Sequence, residues 1–327
     1  MQRFILILLA LALAGSPTTS SAQDYSLQNQ IQRGGVAMKN ENFEAAIKAY
    51  RKALEIDPDN YEAVKNLGVA YSSLGNSQQA QVYLERAFDM TPEAADVANN
   101  LGALYSNRNN MTKAIEYFEK AVKLSPANAL YLANLGREYT RIGRISKALP
   151  LLREAKNLAP DNPVIAFTLG TAFATSESLD SAEYYFQRSL ELGGGSAELH
   201  YFLGVIKSRL GKMHEAEQHY LTTVQLQPNH VQALQSLGLV YLRQGRYDPA
   251  AEQFRRLIKD DSTHWPAWMG LGAAYSLSER VPQADSILSR LFDVDSSMGF
   301  RMLDLIRQER KSRDAAQKAD SIKQGQQ

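Results

Sequence analysis

The segment His214-Glu215-Ala216-Glu217-Gln218-His219 carries the residue types of a zinc-protease helix. That chemistry needs H-E-x-x-H, with two imidazoles four residues apart on one helical face so that both reach one ion. Here the histidines are five apart, which places them about 140° from each other around a helix, and they cannot converge. His200, His230 and His264 are scattered, no cysteine is present to act as a nucleophile, and neither a P-loop nor a G-x-S-x-G turn occurs. The sequence therefore predicts no enzyme, no cofactor and no metal. What does recur is amide chemistry, because Asn66, Asn100 and Asn134 follow one another at 34-residue intervals. An amide side chain both donates and accepts, so a regular row of three can hold the backbone of an extended peptide whatever its sequence.

The elements that must position these residues follow from the same period. Gly34, Gly68, Gly102, Gly136, Gly170, Gly204, Gly238 and Gly272 are each 34 residues apart, and an alanine stands twelve residues after every one of them, from Ala46 to Ala284. Residues 27–298 are thus eight copies of one unit: 27–60, 61–94, 95–128, 129–162, 163–196, 197–230, 231–264 and 265–298. Counting residue 27 as position 1, positions 4, 7, 8 and 11 make one helical stripe, with leucine at 7 from Leu67 to Leu271 and aromatics at 11 (Tyr71, Tyr105, Phe173, Tyr241, Tyr275). Positions 20, 24 and 27 make a second stripe, and Pro58, Pro92, Pro126, Pro160 and Pro228 at position 32 end that second helix. Glycine at 8 and alanine at 20 are small where two helix axes approach closely.

Leu-Gly at 7 and 8, Tyr at 11, Ala at 20, an aromatic at 24, Ala at 27 and Pro at 32 resemble the tetratricopeptide-repeat (TPR) pattern, over 272 of 327 residues. The resemblance implies an all-α fold, an α-solenoid winding as a right-handed superhelix of eight helix-turn-helix repeats. It also implies a concave groove lined by positions 2, 5, 6, 9, 12 and 13 of the first helices. By that reading Asn66, Asn100 and Asn134 form a ladder similar to the one in the TPR region of O-GlcNAc transferases. Phe167, Tyr201 and Phe202 lie beside it, either as side-chain pockets or as packing between helices. Lys65, Arg137, Arg141, Arg209 and Arg243, with Lys39, give the same face a basic character that suits an acidic ligand. The carboxylate clamp of chaperone-binding TPR domains is incomplete, since Val69, Leu130 and Asn134 occupy three of its places.

Outside the repeats, Arg3 precedes an apolar run from Phe4 to Ala14 and a small polar stretch ending Ser20-Ser21-Ala22, which fits a signal peptide over residues 1–22. That run is too short for a span of about 20 residues, and without cysteine there is no lipid anchor. Residues 23–26 read as a leader, 299–309 as a capping helix built on Phe300, Leu303 and Ile306, and 310–327 as a polar tail. Trp265 and Trp268 serve either core packing or docking, and Gly193-Gly194-Gly195-Ser196 either a hinge or a helix stop with Ser196 as the next cap. Removing residues 1–22 leaves 35 basic against 35 acidic residues, which lacks the basic excess of a nucleic-acid binder. The expectation is an exported, periplasmic or secreted scaffold that binds a protein or peptide partner in its groove and serves cell-envelope assembly or secretion. The alternative is a structural protein that self-associates through its convex or end surfaces.

Overall fold

A computed structural model describes residues 19–324, and all regular structure among them is helical. Seventeen helices fall into two compact units divided after Pro160. The first unit holds α1 (Thr19–Lys39), α2 (Phe43–Ile56), α3 (Tyr61–Ser73), α4 (Ser77–Met90), α5 (Ala95–Asn107), α6 (Met111–Leu124), α7 (Ala129–Arg141) and α8 (Ile145–Leu158). The second holds α9 (Pro163–Thr175), α10 (Leu179–Glu191), α11 (Ala197–Arg209), α12 (Met213–Leu226), α13 (Val231–Arg243), α14 (Tyr247–Asp260), α15 (Trp265–Leu277), α16 (Val281–Val294) and α17 (Ser296–Gln324). Up to α16, odd helices are the first and even helices the second of each repeat. No described helix is long and apolar enough to cross a membrane, and residues 1–18, which hold most of the expected signal peptide, lie outside the described residues.

Helix α6 shows how the sequence makes each element. Asn110 accepts from Lys113 N at 3.2 Å and caps the start, satisfying one of the donors that a helix N-terminus leaves free. Ala114, Phe118 and Ala121 then recur on one face, and all three are fully buried. The glycines explain the close approach of the two helices in a repeat. A Cβ on Gly102 would lie 2.6 Å from Cδ1 of Phe118, and one on Gly170 would lie 2.5 Å from Cδ1 of Phe186. In repeats one to seven position 8 is glycine because the side chain at position 24 occupies the space a Cβ would need. Repeat eight departs: over Gly272 sit Met302 of α17 and Ile287, in place of Leu288.

The turn within each repeat carries a regularity that the glycine register does not reveal. Position 15 has left-handed backbone in all eight repeats: Gly75, Gly143, Gly211 and Gly245 fill it without strain, but Glu41, Asn109, Glu177 and Glu279 fill it at φ between 56° and 63°. A side chain there crowds the neighbouring carbonyl. Replacing Glu279 by glycine is expected to stabilise the second unit by about 0.5–1 kcal/mol, since relief of the strain exceeds the extra entropy of an unfolded glycine. Thermal melting would check the sign, and an unchanged or lower midpoint would refute it.

At the ends the structure corrects three expectations. Residues 23–26 are not a separate leader but part of α1, which runs unbroken from Thr19. Helix α17 begins at Ser296 and continues to Gln324, so the cap and the proposed tail are one helix. Its buried stripe is Met302, Ile306 and Glu309, whereas Phe300 is 60% and Leu303 37% exposed. The i, i+4, i+7 row turned inward is therefore not the row read from the sequence; only Ile306 belongs to both. Trp265 and Trp268 pack against the core, with Trp268 Nε1 donating to the Ser262 carbonyl at 3.0 Å. In the glycine stretch Gly193 takes φ 91°, a Cβ on Gly194 would meet the Ser189 carbonyl at 2.8 Å, and Ser196 Oγ accepts from Leu199 N at 3.1 Å. These contacts make a packed stop and cap.

Candidate peptide-binding face

In the first unit α3, α5 and α7 carry Asn66, Asn100 and Asn134, and the first helices of neighbouring repeats touch. Helix α3 is fixed by Asn60, which accepts from Ala63 N at 3.0 Å, and α7 by Asn128, which accepts from Leu130 N at 3.0 Å. Asn66 and Asn100 are half-buried, and no hydrogen bond within the described residues occupies their amides. Asn134 differs: its Nδ2 donates to Oδ1 of the buried Asn99 at 2.8 Å. The three asparagines are therefore not equivalent, and two of them keep a complete set of donors and acceptors for an outside partner.

Most of the charge on this face is already used. Lys65 Nζ pairs with Asp96 Oδ2 at 3.0 Å and lies over the Tyr61 ring. Burial, with the Asp96 charge added, raises the phenols of Tyr61 and Tyr131. Arg141 pairs with the fully buried Glu138 at 3.0 Å and also donates to Ser106 Oγ at 2.8 Å and Asn109 Oδ1 at 3.0 Å. Arg137 is exposed and has no ion pair among the described residues. In the second unit Arg209 pairs with Glu177 at 3.4 Å and Arg243 with Glu309 at 3.6 Å. Four of the five arginines and lysines read as attraction for an acidic ligand thus have their own carboxylate, which removes most of the expected basic character.

The aromatic residues come together as packing. Phe167 meets Phe202 edge-on at 5.6 Å, and both rest on the fully buried Phe186 at the same centroid distance. Tyr201 contacts His230 at 5.0 Å and Tyr220 at 6.1 Å. All three predicted aromatics are half-buried, so they continue the core to its edge and leave only ring margins for a ligand. The residues that sequence reasoning missed are Asp96, Asn99 and Glu138. They lie 31, 35 and three residues from the groups they hold and do not follow the 34-residue period, which therefore carries no signal for them.

Family models described as tetratricopeptide repeat match residues 37–104, 93–161, 133–197 and 195–260. The chain belongs to the tetratricopeptide-repeat family. Among solved structures, PilF of Pseudomonas aeruginosa is 21% identical, with a TM-score of 0.56 over 65% of this chain and 96% of that one. PilW, described as a type IV pilus biogenesis factor, is 21% identical with a TM-score of 0.58 over 63% of this chain and 96% of its own. A tetratricopeptide repeat protein from Parabacteroides merdae is 15% identical, with a TM-score of 0.59 over 76% and 98%. At such identities the likeness shows the fold. No curated protein gives a significant match. The tetratricopeptide-repeat fold supports protein–protein interaction, and which face is used depends on local chemistry.

Repeat six departs from the TPR chain's own pattern at two facing positions. Position 11 holds Lys207, and position 23, where Tyr83, Tyr117 and Tyr185 stack on the position 11 rings of their repeats at 5.3–5.7 Å, holds His219. Lys207 is only 8% exposed and pairs with Glu183 at 2.6 Å and with Glu215, while Lys212 reaches Glu183 at 2.9 Å. His219 faces away from His214 as the spacing requires and instead meets His200, Nδ1 to Nδ1 at 3.2 Å. One ring donates and the other accepts. Among the described residues no three histidine or acidic side chains converge on a metal site.

Proposed function

We propose that this chain is an exported, non-enzymatic scaffold of the cell envelope that holds a partner protein by an extended segment on the first-helix face of its first unit. The observation that carries the reading is the pair Asn66 and Asn100. They stand one repeat apart with their amides free of internal bonds, on a face whose charges are otherwise mostly neutralised. A face of that kind binds backbone and is indifferent to side-chain charge. The setting is supported by the sequence of residues 1–22 and by the likeness to pilus proteins, whose place in envelope machinery suggests assembly or secretion.

The test is a display library of extended peptides selected on the chain, with the selected peptides then titrated against Asn66→Ala/Asn100→Ala. Each truncated amide removes hydrogen bonds worth about 1 kcal/mol, so all selected peptides are expected to lose about 10-fold or more in affinity, irrespective of sequence, while melting is unchanged. Asn134→Ala should lower melting as well, because it also strands the buried Asn99. Equal affinity for the double variant and the parent chain would remove the asparagines from the site.

A further inference from the structure

Helix α17 does more than close the array. Within repeats one to four and within repeats six to eight, a first helix packs on the second helix before it and touches the neighbouring first helix; α17 packs on α16 in the same way, but it also lies along α15 and reaches α13, two repeats back. It therefore lies across the first-helix face of repeats seven and eight. Its contact row is Met302, Ile306 and Glu309, all buried. Met302 fills the space above Gly272, and Glu309 reaches Arg243, the position 13 residue of repeat seven. The resemblance to the TPR family implies ligand contact at this position, and here the chain contacts it itself.

The docking is imperfect at one point. Among the described residues Glu309 Oε2 is the one buried side-chain polar atom without a hydrogen-bond partner. Burial raises the Glu309 carboxyl, and Arg243, 3.6 Å away, offsets this only in part. An apolar fit thus holds the helix down while a poorly satisfied carboxylate opposes it. Such a segment can be exchanged for a better one.

We infer that the first-helix face of repeats seven and eight is a helix-binding site, that α17 occupies it as an internal substitute, and that the partner segment is an amphipathic helix with apolar residues at i and i+4 and, at i+7, a carboxylate placed to pair both of its oxygens with Arg243, which Glu309 does with only one. The spacing is that of Met302, Ile306 and Glu309, and the carboxylate requirement comes from Arg243. This site is separate from Asn66 and Asn100 and stands or falls without them.

The probe is a labelled synthetic peptide of residues 296–311, titrated against the full chain and its variants with hydrogen exchange of residues 298–309 measured alongside. Glu309→Lys sets like charge against Arg243, so exchange is expected to rise and the peptide to bind at least 10-fold more tightly than to the parent chain. In Arg243→Glu/Glu309→Lys the internal pair is restored with its charges swapped, and the tighter binding should be lost. Should Glu309→Lys unfold the unit, Glu309→Gln tests the same point in the opposite direction. It removes the buried charge and should slow exchange and weaken peptide binding. Released α17 with no gain in peptide binding would overturn the site, as would unchanged exchange in both variants. A shift of Glu309→Lys to twice the monomer mass would also overturn it, in favour of exchange of α17 between copies.

Discussion

Gly102→Ala is expected to lower the stability of the first unit by about 2 kcal/mol, even though alanine is the better helix former by about 1 kcal/mol. The added methyl would lie 2.6 Å from Cδ1 and 2.8 Å from Cγ of Phe118, a ring with no exposed surface and no room to retreat. Either the ring leaves its rotamer or α5 and α6 move apart, and both spoil packing at near-crystalline density. The neighbouring glycines of α1 supply the control. A Cβ on Gly34 would lie 2.6 Å from Cζ of Tyr50, whereas one on Gly35 meets nothing within 4 Å. Gly34→Ala should destabilise, and Gly35→Ala should stabilise by up to about 1 kcal/mol. Urea midpoints would decide the matter: two adjacent glycines giving the same sign would show that position 8 is not packed as described. Phe118→Leu in the Gly102→Ala background should recover part of the loss, because the two sites touch and their effects cannot be additive.

The second large effect is expected at Lys207. Its ammonium is buried and holds Glu183 and Glu215, so Lys207→Met should cost about 3 kcal/mol by leaving the largely buried Glu183 with Lys212 as its only cation. Lys207→Tyr/His219→Tyr, which rebuilds the stacked pair of repeats two, three and five, should recover only part of that through ring packing, since it returns no cation to Glu183. The same cluster gives unit two a pH dependence. Burial lowers both His200 and His219 from the ordinary 6.5, with the charges of His200 and Lys207 adding to the effect at His219 and Glu215 and Glu183 opposing it. The unfolded chain therefore takes up protons first as pH falls. Stability is complete above pH 6.5 and is lost below it, as His200 and His219 can no longer share one proton. Burial pushes the Glu183 carboxyl up, but hydrogen bonds from Lys207 and Lys212 outweigh it and hold the group below 4.5, so a second loss begins as pH falls past that value. Thermal melts between pH 7.5 and 5.5 should show the first loss, and His200→Gln/His219→Gln should flatten it. A parallel decline in both proteins would place the sensitivity elsewhere.

By itself the sequence determined the fold and its helix-pair repeat, because a period of 34 places the recurring buried contacts of a helix pair at the same positions from copy to copy. Glycine at 8 and alanine at 20 are legible for that reason: their size is set by backbone proximity, which is the same in every repeat. It also named Asn66, Asn100 and Asn134 as a row, and it ruled out the His214 and His219 pair by spacing alone. Only the tertiary structure decided which of these groups is free. Lys65 and Asp96, Asn134 and Asn99, Arg141 and Ser106 belong to different repeats, and side chains that differ from copy to copy find partners by proximity rather than by period. It likewise decided the phase of α17, where Met302 and Ile306 turn inward and Phe300 outward. Past the last repeat there is no register to read, and the helix rotates to whichever face best fills the space above Gly272.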